Sequence, residues 1–121
     1  MTRTEEIQRL IDYLQEQVSI NALTEATAKR ALDVWNLIDA SMNRRVQVPD
    51  ACPSPDDMLL YSWNKGALHF EAEFPANSDT LVEFFFINHE NDETWQQDIE
   101  YTPELADLPA PVKAHFGFFL Y

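Results

Sequence analysis

The apolar residues of this chain change period once, across a stretch interrupted by prolines. Before it, Ile7, Leu10, Ile11, Leu14 and Val18 recur every three or four residues, the repeat of an amphipathic helix. After it, Leu68, Phe70, Ala72 and Phe74 alternate with His69, Glu71 and Glu73, the two-residue repeat of a half-buried strand. A helical pattern followed by a run of strand patterns predicts an α+β fold.

The helical part divides in two. Thr2 and Glu5 fit a capping box, and Glu5 and Glu6 suit the positive end of a helix expected over Thr4–Val18. A break at Ser19–Ala22 precedes a second helix, opened at Leu23-Thr24-Glu25 with Thr24 as its cap and with Arg44 and Arg45 near its negative C-terminal end. Its residues Ala28, Ala31, Trp35, Ile38 and Met42 form a seam for another helix, while Val34 and Leu37 lie to one side and predict a second contact, with the sheet. The short break predicts an antiparallel helical hairpin.

Val46–Asp57 reads as a connector, because Pro49, Pro53 and Pro55 hold it extended. Four strands are expected beyond it: Met58–Trp63, Ala67–Phe74, Thr80–Asn88 and Glu93–Tyr101. Gly66 supplies the positive φ of the first turn, and links this short make an antiparallel meander. In the third strand Val82, Phe84 and Phe86 line one face and Leu81, Glu83, Phe85 and Ile87 the other. Both faces are largely apolar, so the expectation is a central strand covered by the hairpin on one side and the tail on the other. Pro111–Phe116 predicts a short helix, and the aromatic end from Phe116 to Tyr121 is expected to dock. The 121 residues therefore read as one domain: a helical hairpin (1–45), connector (46–57), sheet (58–101) and C-terminal segment (102–121).

The formal charge of −13 is unevenly placed. Residues 1–45 hold seven acids against six bases; residues 46–121 hold fourteen acids against Lys65 and Lys113 alone. Such a field repels nucleic acid and anionic membrane and attracts a basic protein. Acidity for solubility alone is the competing account. No apolar run reaches the roughly 18 residues of a membrane span, and the first residues contain no hydrophobic signal segment, so the expected location is the cytoplasm.

Catalytic equipment is sparse. Two glycines exclude a glycine-rich phosphate cradle, and a single cysteine, Cys52, excludes an internal disulfide and a multi-cysteine metal site. His69, His89 and His115 lie in three different elements, and Cys52 sits between prolines with acids nearby that disfavour a thiolate. The loop His89–Glu93 is acidic but lacks the spacing of a calcium loop. The reading is therefore no catalytic residue, no metal and no cofactor.

What the pattern does assemble is a binding face. His69, Glu71 and Glu73 share one side of a strand, and Glu83, Asp98 and Glu100 on neighbouring strands are candidates to join them. Each directly opposed like-charge pair costs on the order of 0.2–1 kcal/mol, so such a cluster is consistent with a cationic partner. Tyr61, Trp63 and Trp95 are the candidate aromatic anchors among these acids, with core packing as the alternative. The expectation is a non-enzymatic, acidic protein-binding module, a small inhibitor or immunity-type protein occupying a basic site on a partner by charge mimicry, a nucleic-acid-binding site being one such candidate. The alternative is a structural or assembly adaptor working through apolar helix and aromatic-tail contacts. The oligomeric state stays open.

Residues Pro53-Ser54-Pro55-Asp56-Asp57, the apolar strand to Trp63, Gly66, and Leu68 to Glu73-Phe74 resemble a pattern in small uncharacterised bacterial proteins: Pro-Thr-Pro-Asp-Gly-Gly, an apolar strand, Glu-Trp, a glycine turn and Leu-x-x-Glu-Phe. The resemblance covers about 22 residues; Asp57-Met58 replaces the glycine pair and Ser62 the acid before Trp63. It implies a hairpin in which Trp63 packs, and it implies no activity.

Overall fold

The computed structural model describes residues 1–121. Two helices come first, α1 (Arg3–Ser19) and α2 (Glu25–Ser41). Both start where a threonine hydroxyl accepts a backbone N–H of the first turn: Thr2 from Glu5 and Thr24 from Thr27, each at 3.2 Å. Strands β1 (Asp50–Ser54), β2 (Met58–Lys65), β3 (Leu68–Phe74), β4 (Leu81–Asn88) and β5 (Glu93–Glu100) follow. They form one antiparallel sheet in chain order. A third helix, α3 (Ala110–Phe116), runs into a 3₁₀ turn at Gly117–Phe119.

The four-stranded expectation is corrected to five. The extra strand, β1, lies inside the segment read as a connector, and it contains Pro53. Proline removes a donor from the ladder, which an edge strand tolerates and a central one does not. The turns obey local chemistry. Gly66, at φ 59°, is the first residue of a two-residue loop between Lys65 and Leu68, where a left-handed residue matches the twist of the hairpin. Asp56 and Asp57 are also left-handed, at φ 64° and 60°, between β1 and β2. The Asp57 carboxylate fastens this turn to the start of α2, accepting from Thr24 N at 2.7 Å, Thr24 Oγ1 at 2.9 Å and Thr27 Oγ1 at 2.7 Å.

Alternate residues of β2, β3 and β4, with Ile99 of β5, point into a core of 23 buried apolar side chains shared by α1, α2, the sheet and α3. Phe116 packs edge-on against Trp63 (centroids 4.9 Å) and lies 4.7 Å from Phe70; Phe119 is 5.9 Å from Phe70. The helices and the C-terminal segment thus cover the same face, and the expectation of a cover on each side of β4 is corrected. Geometry explains this: Phe116 and Phe119 are fully buried in the same cluster as the α2 residues Trp35 and Ile38. An antiparallel sheet with one packed and one wet face is a stable arrangement.

Three polar clasps join the layers. Tyr61 Oη donates to Ala31 O at 2.8 Å, and Trp63 Nε1 donates to Gln47 O at 2.8 Å. Arg3, lying over Trp35, donates to Asp39 and to Val46 O. At the chain's end, Val46 and Leu120 form an antiparallel bridge, flanked by Gln47 N–H donating to Phe119 O at 2.9 Å. No helix is long and apolar enough to cross a membrane.

Candidate functional site

The uncovered face of the sheet is defined by register. β3 contributes His69, Glu71 and Glu73; β4 contributes Leu81, Glu83, Phe85 and Ile87; β5 contributes Thr94, Gln96, Asp98 and Glu100. Leu60, Ser62 and Asn64 of β2 and Asp50 and Cys52 of β1 complete it. Six carboxylates, Asp50, Glu71, Glu73, Glu83, Asp98 and Glu100, therefore share one face, and no lysine or arginine stands among them. Leu60, Leu81, Phe85 and Ile87 lie half-buried between them and outside the core cluster.

Three of the acids form a row. Glu73 is directly opposite Glu83, and Glu83 is directly opposite Asp98. The Tyr101 N–H donates to Thr80 O at 2.7 Å, which marks the hydrogen-bonded pairs between β4 and β5 as those of even-numbered β4 residues. Glu83 and Asp98 are hence a non-hydrogen-bonded pair, the closer of the two antiparallel spacings. Burial pushes the Glu83 carboxyl above its ordinary range, and Glu73 and Asp98 push the same way. Farther along β3, His69 is held from both sides: Nε2 lies 2.7 Å from Glu71 Oε1 and Nδ1 lies 2.5 Å from Asn64 Oδ1.

The proposed aromatic anchors fall elsewhere, and these positions are corrected. Tyr61 and Trp63 are 0% and 2% exposed, on the core face of β2. Trp95 is half-buried on the core side of β5, stacked on the His115 ring of α3 with centroids 3.9 Å apart. The two-residue period explains it: Tyr61 and Trp63 are odd-numbered on β2, where the wet positions are even. The aromatic that does share the acidic face is Phe85, opposite Glu71 and Gln96. Its alternation with Glu83 is visible in the sequence; the expected second cover concealed it. Asp50 joins the face because its segment, expected as a connector, pairs with β2.

The side chains with nucleophilic or general-base chemistry are dispersed. Cys52 is exposed on β1, His69 is on β3, His89 is in the β4–β5 turn and His115 lies over Trp95. No group of three or more His, Cys, Asp or Glu side chains is disposed to hold a metal ion. Two hollows lie on the helices. One, of about 550 Å³, runs between α1 and β1, lined by Glu6, Arg9, Tyr13 and Pro49 among others. The other, of about 320 Å³, is a groove between α1 and α2 with Ile11, Val18, Ala28 and Leu32 along it. No family model, curated protein or solved structure matches this chain.

Proposed function

We propose that this protein is a non-enzymatic, acidic protein-binding module of the inhibitor or immunity type, which lays the open face of its sheet on a basic site of a partner. The observation that supports it is the row Glu73–Glu83–Asp98, aligned by strand register on a face with no lysine or arginine to neutralise it. Half-buried Phe85 and Ile87 beside the row supply apolar contact once the partner's cations are paired. On a partner whose site receives nucleic acid, these carboxylates stand where phosphates would, and the field steers rapid association. The protein itself, repelled by polyanions, is not the nucleic-acid binder.

Affinity purification followed by salt titration tests the reading. A basic partner is retained, and its affinity falls steeply between about 0.05 M and about 0.5 M salt. The triple change Glu73→Lys, Glu83→Lys, Asp98→Lys abolishes capture while the circular dichroism spectrum is kept. Retention of acidic or neutral partners only, or salt-insensitive binding, refutes it.

The apolar groove between α1 and α2, with Phe118 half exposed at the chain's end, favours a second reading as an assembly adaptor. Association would then be unchanged or strengthened by salt and weakened by Leu32→Glu.

A further inference from the structure

The two edges of the sheet differ in kind. At one edge, β1 has five residues, contains Pro53 and is flanked by Pro49 and Pro55, so it offers a short and interrupted set of backbone donors. At the other, β5 has eight residues and no proline or lysine. Its odd-numbered residues pair with β4, as the bond from Tyr101 N–H to Thr80 O and the register require. The N–H and C=O groups of Thr94, Gln96, Asp98 and Glu100 therefore point away from the sheet, and all four residues are exposed. A long, proline-free, unpaired edge is a template for another strand.

Resting on the reading of the protein as a binder of a basic partner, we infer that this edge receives an extended segment of that partner as a sixth strand. The side-chain pattern of the segment follows. A residue paired with Asp98 or Glu100 lies on the acidic face, so alternate positions carry lysine or arginine. The positions between them fall on the core side, beside half-buried Trp95 and Tyr101, and carry apolar groups. The same acids reject a second copy of this chain, because β5 paired with β5 brings the Asp98 and Glu100 carboxylates of both copies onto one face.

The probe is an octapeptide of alternating lysine and valine with blocked ends, titrated into the isotope-labelled full chain at low salt. Hydrogen exchange at the amides of Thr94, Gln96, Asp98 and Glu100 slows on binding. Methylating the peptide's edge-facing amide nitrogens weakens it by at least about tenfold, as loss of more than one backbone hydrogen bond requires. The variant Gln96→Pro removes an outward N–H at a position where an edge tolerates proline, and abolishes binding; if it does not fold, the methylated peptide still decides. Salt-sensitive binding that leaves the four amides unprotected and ignores methylation overturns the edge proposal but leaves the acidic-face reading standing. No binding by the alternating peptide overturns the edge proposal, and the partner purification judges the face separately. Protection of the four amides without peptide, rising with protein concentration, overturns it in favour of a second copy.

Discussion

Glu83 stands between two other carboxylates, and its folded-state proton affinity is raised by burial first and by Glu73 and Asp98 next. An acid whose folded value lies above its unfolded one lowers stability at neutral pH, and the deficit vanishes as pH falls below the unfolded value. Glu83→Gln is therefore expected to stabilise the protein at pH 7 by about 0.2–1 kcal/mol per relieved pair. Urea unfolding at pH 7 and again at acid pH checks this: the gain shrinks on acidification. Asp57 runs the other way. Burial alone would raise its carboxyl, but the bonds from Thr24 and Thr27, with Arg30 nearby, hold it below the ordinary range. Its contribution is full above the unfolded value and is lost as pH falls through the folded one. Asp57→Ala, which strands the α2 N-terminus and two threonine hydroxyls, is expected to cost about 1–3 kcal/mol at neutral pH, measured by thermal unfolding.

Among the elements, those with an unambiguous period were legible. Thr2 and Thr24 mark both helix starts because a side-chain cap is a local event, written in adjacent residues. The alternations at Leu68–Phe74 and Leu81–Ile87 identify β3 and β4 and the faces of their residues for the same reason. Strand β1 was not legible, since Pro53 is a breaker in any position but the edge, and being at the edge is a property of the sheet, not of the segment. The side on which α3 docks was equally out of reach: Phe116 and Phe118 read alike in sequence, yet the first is fully buried and the second half exposed. Of the candidate site, Glu71 and Glu73 follow from parity within β3, whereas Glu83, Asp98 and Glu100 join them through inter-strand register, which no single strand encodes; Tyr61, Trp63 and Trp95 fall on the core side because parity outranks residue type. Phe116→Ala, emptying a space bordered by Trp63, Phe70 and Phe84, is expected to cost about 3–5 kcal/mol. Gly66→Ala meets no atom within 4 Å, so its cost is the left-handed backbone alone, about 1–2 kcal/mol. Denaturant midpoints of the two variants should differ accordingly.

For the molecule as a whole, a charge of −13 is a standing internal repulsion, concentrated where Glu73, Glu83 and Asp98 meet. Salt should raise the melting temperature by a few degrees between about 0.01 M and about 0.3 M, and the Glu83→Gln variant should respond less. Calorimetry at both concentrations reads the difference. The way the last residues complete the interior has a bearing on birth as well as on stability. Phe116 and Phe119 close over Trp63 and Phe70, and Leu120 is clasped to Val46. A nascent chain, lengthening at about 5–20 residues per second, must hold its greasy middle open for seconds until those rings emerge from the ribosome. Chaperones that shelter unfinished polypeptides would find their client in that interval, and a stalled transcript ending before Phe116 would leave a fragment fit for degradation.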